Sequence, residues 1–555
     1  MEKNKKLIVL GVLALILTIS GITYAILTWT SSRVNIGLTS NCFTIDYTKG
    51  NDINNATINL LNESDLISDN KFTIKEGMAL TYANIGIKSS CTIEGYGILK
   101  LNITSLSDAF TTGSSKGSLK YAVLKNTSSV STISIDNLKN QSFNLVARGS
   151  ITKVGTIDIL TEQLSNIELY KYLIVIYIDN SLTGNDVIGA TFSGNISAEA
   201  YQGKLNADYT LQRLNNLNSS IVLDTTHTPD FSTVSGNNGI KINRNDGSAI
   251  ASNQGDGTKG IYSAEDDFGT SYYFRGTVEN NYVKFGNYYW RIIRINGDSS
   301  IRMIYAGTSA HPNGYDDGET NDMSIGNSVY NSNNNDNTYV GYMTGTVGAG
   351  IYEEAHSNST DSVVKKYIDD WYSNNLIEYS YYLKDTIYCN DRKVIKIENI
   401  AGLTFTGDGS GTSKSAYMGP IRSYVTHSPT LKCENKNDRF TVNNNIGNTK
   451  LTYPAALITS DELIFAGSMG IDLSTMHYIT NEEFYLFSGS EIWYWTMTPY
   501  SFEEDASVML LDEVGAINYL HTRANAREYV RPVISLRSDA ISGGSGTIED
   551  PFTVG

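Results

Sequence analysis

Alternating apolar and polar positions run through residues 34–202 and predict a series of short β-strands. The alternation is clear at 98–103, 119–124 and 156–160, where successive side chains must point to opposite faces of a sheet. Residues 173–178 are continuously apolar, which is typical of a central strand covered on both faces. Because turns rich in Asn, Gly and Ser separate these runs, we expect an antiparallel β-sandwich.

The pattern changes within 203–255, where Asn, Gly, Ser and Asp dominate. One run, 207–217, has the spacing of a short helix, and the rest lacks the apolar positions that a core requires. We therefore interpret 203–255 as a linker between a first domain, 34–202, and a second domain, 256–555. A polar linker of this kind predicts that the two halves fold independently.

The second domain opens with strand-like runs at 271–278, 282–285, 288–296 and 300–306. The Asn-Gly-Asp sequence at 296–298 is a strong hairpin signal. A polar stretch, 307–350, follows and carries too few apolar residues to pack on its own, so we expect a long loop there.

Two helices are expected to interrupt the strands of this domain. Ser-Thr-Asp at 359–361 is a typical cap for a helix that has Val364, Ile368 and Trp371 on one face. Thr459 or the following serine begins a second helix, which Gly467 ends. Helices between an early and a late group of strands predict an α+β domain.

The chain near 492–499 is the predicted hub of the second domain. Trp493 and Trp495 lie two residues apart, so a strand places both on one face, where they bury a large apolar area. The proline that follows is expected to end the strand, because it has no N–H to give to a sheet. The closing strand, 530–536, contains Arg531, which must find buried polar partners. The hub residues are Trp290, Trp495, Pro499, Arg531 and Pro532.

The same strand supplies candidate ligand-binding side chains. Alternation sets Tyr494 opposite Trp495, so we expect Trp495 in the core and Trp493 and Tyr494 partly exposed. Exposed aromatic rings stack on sugars or peptides, and nearby histidine and arginine side chains donate hydrogen bonds to them. The candidate residues are Trp493, Tyr494, Tyr500, His521, Arg523 and Arg527. The alternative is that the whole aromatic group belongs to the core.

At 555 residues the chain is long enough for at least two domains with sizeable cores. A formal net charge of −16 at pH 7 opposes binding to nucleic acid and to anionic lipid, so we expect no nucleic-acid partner. Tyrosine is frequent, with 37 copies, which suits the half-wet faces of β-rich surface proteins.

An uncharged, mostly apolar run at 7–27 follows three lysines near the N-terminus. It is long enough to span a bilayer, and the lysines would hold the N-terminus in the cytoplasm. The Thr-Tyr-Ala sequence at 23–25 offers the alternative of a cleaved secretory signal within 1–29. Both alternatives predict an extracytoplasmic protein, either anchored in the cell membrane or secreted.

The four cysteines fall into two pairs, Cys42 with Cys91 and Cys389 with Cys433. Outside the cytoplasm, one disulfide within each domain is the simplest pairing. Four buried free thiols are the alternative. The sequence contains no Cys-x-x-Cys and no Cys/His metal spacing.

Three features occur together in residues 1–202: a lysine-rich start with an apolar run, Gly-Ile-Thr-Tyr-Ala at 21–25, and a β-rich stretch that ends in Thr-Phe-Ser-Gly-Asn-Ile at 191–196. Together they resemble the camelysin and biofilm-fibre group of Gram-positive secreted proteins. The resemblance implies a jelly-roll-like or Ig-like sandwich that a dedicated signal peptidase exports. The chain departs from the group at 26–28, where the group has an aromatic and an acidic residue. It also lacks His-Glu-x-x-His, so the metalloprotease activity ascribed to camelysins is not carried over.

Four motifs follow in order along the second domain: Tyr-Trp-Arg-Ile-Ile-Arg at 289–294, Trp-Thr-Met-Thr-Pro at 495–499, Gly515, and Val-Arg-Pro-Val at 530–533. This order resembles the bacterial form of the C-type-lectin-like fold, which formylglycine-generating enzymes and several families of surface domains share. The resemblance covers about 270–540 and implies an α+β lectin-like domain. It implies no particular ligand, because one fold hosts many functions.

The sequence shows no catalytic or metal-binding motif. Calcium-dependent lectins use Glu-Pro-Asn or Gln-Pro-Asp with a later Trp-Asn-Asp, and none of these occurs. Formylglycine-generating enzymes need a redox-active cysteine pair, whereas Cys389 and Cys433 are better placed for a structural bridge. The six histidines lack ligand spacing, and we interpret the acidic runs 266–267 and 503–505 as solvated loops rather than calcium sites. We expect no cofactor and no metal.

These features favour a non-catalytic binding or adhesion protein on the surface of a Gram-positive-type bacterium. The first domain would serve as a stalk or assembly module, and the second would bind a glycan or protein ligand. The membrane is a further partner if the N-terminal run stays uncleaved. The main alternative is a structural biofilm or fibre-like matrix subunit that assembles through an exposed strand of the first domain. The other alternative is a cell-envelope enzyme.

Overall fold

The structure is a computed structural model of the 555-residue chain. It describes residues 43–56, 58–68, 70–89, 94–125, 133–165, 168–231, 240–242, 249–252, 258–311, 322–400, 403–468, 471–472, 477–480, 484–487, 492–512, 515–518 and 523–555. The fold is mainly β, with 41% strand and 17% helix in several sheets, which confirms the β-rich character that the sequence predicts. The chain divides into two compact units, Met1–Leu205 and Asn206–Gly555.

Several predicted features lie outside the described residues. They include the apolar run 7–27, Cys42, Cys91 and His521. Within the described ranges, no helix combines the length and the apolar character needed to cross a membrane.

The first unit is built from two sheets. In chain order its strands are β1 (Phe43–Lys49), β2 (Ile53–Ala56), β3 (Leu60–Leu61), β4 (Ile67–Ser68), β5 (Lys71–Thr73), β6 (Ala79–Ser89), β7 (Gly95–Leu106), β8 (Leu119–Lys125), β9 (Ser142–Ser150), β10 (Gly155–Leu164), β11 (Leu169–Asp179) and β12 (Phe192–Gln202), and the short helix α1 (Ile135–Leu138) precedes β9. The larger sheet has the order β1-β6-β11-β8-β9-β5-β4, with β3 beside β11, and the smaller has the order β10-β7-β12-β2. The pairing of β3 with β11 is parallel, and the other pairs are antiparallel.

Inward-facing side chains of both sheets form one apolar core in the first unit. Ile174 and Ile176 contribute from β11 in the larger sheet, and Leu99 and Leu101 contribute from β7 in the smaller. Strand β11 lies between β6 and β8, and every residue of 172–179 is buried. This burial confirms the prediction of a central strand from its continuous apolar run.

The second unit mixes strands with helices. Its strands up to residue 400 are β13 (Ile240–Ile242), β14 (Ala249–Ser252), β15 (Gly260–Asp266), β16 (Gly269–Arg275), β17 (Tyr282–Phe285), β18 (Tyr288–Ile295), β19 (Ile301–Gly307), β20 (Asn327–Val329), β21 (Met343–Thr344), β22 (Thr360–Asp361), β23 (Tyr388–Cys389), β24 (Val394–Ile395) and β25 (Ile397–Ile400). The later strands are β26 (Leu403–Phe405), β27 (Ser415–Tyr417), β28 (Arg439–Phe440), β29 (Ala455–Ala456), β30 (Ile471–Asp472), β31 (His477–Thr480), β32 (Tyr494–Phe502), β33 (Ala506–Leu511), β34 (Ile517–Asn518), β35 (Arg527–Tyr529), β36 (Val533–Leu536), β37 (Ile541–Gly543) and β38 (Phe552–Val554). The helices are α2 (Ala207–Leu217), α3 (Tyr352–Ala355), α4 (Val363–Asn375), α5 (Met418–Tyr424) and α6 (Ser460–Ala466).

The largest sheet of the second unit has nine strands and carries Trp290. Its order is β29-β36-β19-β18-β17-β38-β37, with β16 beside β18 and β15 beside β16. Trp290 is fully buried, and its Nε1 donates a hydrogen bond to the Phe285 carbonyl oxygen at 2.9 Å. The ring centres of Tyr305 and Trp371 lie 5.6 and 6.4 Å from that of Trp290, so this residue sits in an aromatic core.

A second sheet, of seven strands, carries Trp495. Its order is β20-β35-β32-β27-β24, with β33 beside β32 and β34 beside β33. Trp495 is fully buried, and its Nε1 donates a hydrogen bond to the Ser328 carbonyl oxygen at 2.9 Å. Its ring centre lies 5.5 Å from that of Tyr330. Trp495 is therefore a core residue.

Pro499 does not end the strand, so that prediction is wrong. Strand β32 continues from Tyr494 through Pro499 to Phe502. The register between β32 and β33 shifts on both sides of Pro499. Because proline sits at an irregularity of the ladder, its missing N–H removes no regular hydrogen bond.

The polar stretch 307–350, predicted as a long loop, packs where the structure describes it. Tyr342 is fully buried, as are Asn337 and Tyr330. Asn337 Nδ2 donates hydrogen bonds to backbone carbonyl oxygens within 410–413, at 2.8 to 3.3 Å. Asparagine side chains, which led to the prediction of a solvated loop, therefore donate hydrogen bonds to the backbone carbonyl groups of another segment.

The interpretation of 203–255 as a linker is wrong at its start. Helix α2 forms where predicted, but it packs within the second unit, which begins at Asn206. Thr210 Oγ1 donates a hydrogen bond to the Ser299 carbonyl oxygen at 2.6 Å, and Arg213 Nη2 donates one to the Ile541 carbonyl oxygen at 3.1 Å. These partners are distant in sequence, so composition alone does not reveal them.

The two helices predicted from their caps both form. Helix α4 begins after Ser362, whose side chain accepts a hydrogen bond from the Lys365 N–H, so its cap lies one residue beyond the predicted 359–361. Helix α6 begins after Thr459 and ends at Gly467, as predicted. Its first turn is a capping box, in which the Thr459 and Glu462 side chains each accept a backbone N–H.

Candidate functional site

The predicted ligand-binding residues do not come together in one site. Trp493 precedes β32 and Tyr500 lies near its end, roughly 20 Å away at about 3.3 Å per residue. Arg527 belongs to β35, which pairs with the start of β32, whereas Arg523 bridges to β33 near the opposite end. His521 lies outside the described residues. Two separate groups therefore result, one around Trp493 and one around Tyr500.

Tyr494 is fully buried, so the expectation that it is partly exposed is wrong. Its hydroxyl donates a hydrogen bond to the Leu486 carbonyl oxygen at 3.2 Å. The guanidinium carbon of Arg531 lies 4.8 Å from the centre of its ring. Alternation does put Tyr494 and Trp495 on opposite faces, but other elements cover both faces of β32 here.

Trp493 stays half-buried at the start of β32. Its carbonyl oxygen accepts a hydrogen bond from the Tyr529 N–H at 2.9 Å. Strands β32 and β35 pair in parallel at Tyr494 and Tyr529, so Trp493 and Glu528 occupy adjacent positions one residue back. On its other side Glu528 pairs with Ser328 of β20. Trp493 and Glu528 therefore lie at the same end of these paired strands.

Glu528 is a candidate that reasoning from the sequence missed. Its side chain is half-buried and has no hydrogen-bond or ion-pair partner among the described residues. Burial raises the pKa of Glu528 to about 7, so both protonation states occur near neutral pH. Such a group beside an accessible aromatic ring is a candidate for ligand contact. No sequence pattern pointed to it, because its proximity to Trp493 depends on the pairing of β35 with β32.

Arg527 and Arg523 are exposed, and each contacts a residue of a neighbouring segment. Arg527 Nη1 donates a hydrogen bond to the Asn327 side-chain oxygen at 3.2 Å. Arg523 Nε forms an ion pair with Asp505 at 3.0 Å. The hydrogen bond of Arg527 is exposed, and exposed ion pairs such as that of Arg523 are weak, so either arginine can exchange its partner for a ligand.

Arg531 is fully buried in the hub and donates hydrogen bonds to two backbone carbonyl groups, one in strand β19 and one outside the strands, which confirms the predicted buried polar partners. Its Nε contacts the Tyr305 carbonyl oxygen at 3.0 Å, and its Nη1 contacts the Leu486 carbonyl oxygen at 3.3 Å. Pro532 is buried beside it, and its carbonyl oxygen accepts a hydrogen bond from the Tyr305 N–H at 2.9 Å. Arg531 and Pro532 thus join the two largest sheets of the unit.

A second polar site surrounds the disulfide of this unit. Cys389 and Cys433 are bonded, which confirms the predicted pair. A cavity of about 30 Å³ beside them is lined by acidic and basic side chains and has room for water only. At this cavity Arg422 contacts Asp391 at 2.7 Å and Asp461 at 2.8 Å.

The arginine and carboxylate side chains deeper in this cleft form ion pairs with one another. Arg294 contacts Asp266 at 2.8 Å and Glu462 at 3.1 Å, and Arg302 contacts Glu462 at 2.6 Å. Burial raises the pKa of Glu462, but the two guanidinium groups outweigh burial and hold the pKa below its ordinary value. These carboxylates are engaged in ion pairs, so the cleft has the character of a structural network rather than a catalytic one.

The acidic run 266–267 is not a solvated loop, contrary to expectation. Asp266 is buried within the ion network. Asp267 forms an ion pair with Arg439 at 3.0 Å and accepts a hydrogen bond from the Cys433 N–H at 2.9 Å. The two carboxylates therefore tie the turn after β15 to the disulfide region. In the second run, Glu503 is exposed.

Within the described residues, no group of His, Cys, Asp or Glu side chains has the arrangement of a metal site. His356 is buried, and burial lowers its pKa well below the ordinary value, so it is neutral. One of its ring nitrogens, Nε2, contacts the Gly409 carbonyl oxygen at 2.9 Å. His311 pairs with Asp322, and such partners indicate structural roles for these histidines.

Comparison with known proteins adds no assignment. No protein-family model matches the chain. No curated protein matches it either. Only the geometry of the described residues and the sequence patterns therefore bear on function.

Proposed function

We propose that the chain is a non-catalytic binding protein of the cell surface and that it binds a glycan at Trp493 and Glu528. The first unit, with two sheets around one core, is proposed to be a jelly-roll-like or immunoglobulin-like sandwich that serves as a stalk. The second unit is proposed to be a C-type-lectin-like domain that carries the binding surface. The aromatic cores around Trp290 and Trp495 support this second assignment.

The pairing of an accessible indole with a half-buried carboxyl group carries the proposal. A sugar ring has an apolar face of C–H bonds, which packs on an indole, and hydroxyl groups around its edge. Glu528 lies next to Trp493, where its carboxyl group accepts a hydrogen bond when ionised and donates one when protonated. Glu528 belongs to the paired strand β35, and the Trp493 carbonyl oxygen accepts a hydrogen bond from that strand, so the backbone at both residues is fixed before a ligand arrives.

The same geometry favours binding over catalysis. Glycosidases need two carboxyl groups that flank the scissile bond. Burial alone accounts for the raised pKa of Glu528, so no second charged group in the described residues is close enough to affect it. The acidic residues of the disulfide cleft are held by Arg294, Arg302 and Arg422.

The disulfide supports an extracytoplasmic location, because such bonds persist in oxidising compartments. We propose that the run 7–27 either anchors the chain in the membrane or is removed after residue 25. Mass spectrometry of the mature N-terminus separates the two outcomes. A reduced Cys389–Cys433 pair in the cytoplasmic fraction would contradict both.

Binding of the purified chain to an array of glycans and proteins tests the proposed ligand. Wild type is expected to retain a set of glycans that Trp493→Ala loses. Tyr500→Ala is the matched aromatic control at the far end of the same strand and is expected to keep them. Loss with Tyr500→Ala alone would move the site to that end. Binding to proteins alone would replace the glycan with a protein ligand.

The charge of Glu528 needs a control of its own. Glu528→Gln keeps the shape of the side chain and is expected to weaken glycan binding. Glu503→Gln removes an exposed carboxylate from the far end of the same sheet and is expected to leave binding unchanged. Equal effects of the two substitutions would mean that net charge, rather than contact with Glu528, governs binding.

A structural fibre subunit is the second candidate, because β10 is an edge strand. Among the described strands, β10 pairs with β7 on one side only. Its other side therefore offers backbone N–H and C=O groups to a strand of another molecule. Electron micrographs that show fibres of the purified protein would favour this candidate, and separate particles would favour the binding protein.

A further inference from the structure

Two fully buried arginines of the second unit make no contact with a carboxylate in the described part of the chain. Arg291 donates hydrogen bonds from Nε to the Asn281 side-chain oxygen at 2.6 Å and from Nη2 to the Val278 carbonyl oxygen at 2.7 Å. Arg531 donates to two backbone carbonyl oxygens. All four acceptors are neutral, and the only carboxylate that acts on Arg291 among the described residues is the exposed Glu279, which forms no ion pair with it, so hydrogen bonds stabilise both guanidinium groups without a buried counter-charge.

Three polar atoms around these arginines have no hydrogen-bond partner among the described residues. They are Arg291 Nη1, Arg531 Nη2 and the Tyr485 hydroxyl oxygen. The guanidinium carbon of Arg291 lies 5.1 Å from the Tyr485 ring centre, and Arg531 bonds to the carbonyl group of the next residue, Leu486. Each of the three side chains is at most 1% exposed. The unused donors therefore share one enclosed neighbourhood.

An unpaired charge in such a place is strongly destabilising. Burial, together with the positive charge of Arg531, lowers the pKa of Arg291 to about 10, so Arg291 stays charged at neutral pH. Burial also lowers the pKa of Arg531. The ring centres of Tyr282 and Tyr494 lie 3.8 and 4.8 Å from the two guanidinium carbons. The face of an aromatic ring attracts a cation, but it carries no net negative charge. It also accepts no hydrogen bond from the unused N–H groups of the two arginines. Among the described residues, no buried anion contacts either guanidinium group in this neighbourhood.

We propose that a single halide ion, chloride under physiological conditions, binds between Arg291, Arg531 and Tyr485. A halide accepts hydrogen bonds from N–H and O–H donors and supplies the missing negative charge. The complete burial of the three side chains limits the occupant to a monatomic ion, because a carboxylate or phosphate ligand would need an opening to the surface. This site is distinct from the proposed glycan surface, and its role is to hold the hub together.

Chloride-dependent stability tests the proposal on the purified full chain. Thermal unfolding of the second unit is measured at constant ionic strength while chloride replaces gluconate. Above its Kd, chloride is expected to raise Tm by about 2 °C for each tenfold increase in concentration, because it binds the folded state alone.

Two tyrosine variants separate specific binding from general salt effects. Tyr485→Phe removes one proposed donor and keeps the ring, so its response to chloride is expected to fall to half or less. Tyr372→Phe is the matched control: its hydroxyl is also buried and unpartnered, and no arginine in the described residues lies over its ring. Its response is expected to equal that of wild type. Equal responses of all three proteins would overturn the proposal.

Crystals grown in bromide give an answer even if Tyr485→Phe does not fold. Anomalous scattering is expected to show one bromide within hydrogen-bond distance of Arg291 Nη1 and Arg531 Nη2. A water molecule at that position, or a carboxylate of this chain, would overturn the proposal.

Discussion

Trp495→Ala is expected to be among the most destabilising single substitutions in the second unit. The side chain is fully buried, and its indole N–H donates a hydrogen bond to the Ser328 carbonyl oxygen at 2.9 Å. Its ring packs edge-on against Tyr330, at 5.5 Å between centres. Alanine removes all of these contacts, leaves a cavity and deprives the carbonyl oxygen of its donor.

The expected cost follows from these contacts. A tryptophan side chain buries about 200 Å², which at about 25 cal/mol per Å² gives about 5 kcal/mol. Because the unfolded chain already buries part of that area, about 3–4 kcal/mol is a better value for transfer. The lost hydrogen bond adds about 1 kcal/mol. We therefore expect a loss of about 4–5 kcal/mol in the free energy of unfolding, within the range for buried tryptophans.

Urea denaturation, monitored by circular dichroism, measures this loss. The urea concentration at the unfolding midpoint is expected to fall, while the slope of unfolding free energy against urea stays unchanged. Trp493→Ala is the matched control, because the residue is half-buried, and it is expected to cost less than about 2 kcal/mol. Tyr494→Ala is expected to cost about 3–4 kcal/mol, since Tyr494 is buried as well. A cost below about 2 kcal/mol for Trp495→Ala, or equal costs at Trp493 and Trp495, would refute the reasoning.

Three further predictions concern the second unit. Cys389→Ser with Cys433→Ser is expected to lower its stability by about 4 kcal/mol, because the bond spans a sequence separation of 44, and calorimetry that finds an unchanged Tm would contradict this. Burial raises the pKa of Glu528 from 4.5 to about 7 in the folded state. Ionisation of Glu528 therefore lowers the free energy of unfolding, and this loss is complete above about pH 7 and absent below the unfolded pKa. Glu528→Gln is therefore expected to raise Tm at pH 8 and to leave it unchanged near pH 4, and equal shifts at both pH values in a thermal-shift series would count against it. A fragment 206–555 is expected to melt cooperatively and at a higher temperature than 256–555, which lacks α2, and equal melting temperatures would refute a structural role for that helix.

The sequence predicts well those features that depend on local pattern. The apolar run 173–178 is buried in β11 because a strand covered on both faces needs apolar side chains at every position. Thr459 and Gly467 mark the ends of α6 because a cap and a left-handed C-terminal residue act within one turn of the helix. The aromatic residues at 290 and 495 are large enough that burial is the expected outcome.

Features that depend on distant partners could not be predicted in this way. Alternation assigns Tyr494 to a face, but whether that face is covered depends on Arg531 and Leu486. The asparagine-rich stretch packs because Asn337 reaches carbonyl groups at 410–413, which no local pattern indicates. Glu528 became a candidate only through its register beside Trp493, since its composition and spacing carry no signal.

The dissociation constant of a glycan identified on the array tests the proposed binding surface most directly. Isothermal titration calorimetry compares wild type with Trp493→Ala and Tyr500→Ala at pH 7. The proposed surface predicts that Trp493→Ala increases the dissociation constant at least tenfold, which is a loss of about 1.4 kcal/mol in binding free energy. For Tyr500→Ala it predicts a dissociation constant within twofold of wild type. An unchanged constant for Trp493→Ala would contradict binding at Trp493 and Glu528.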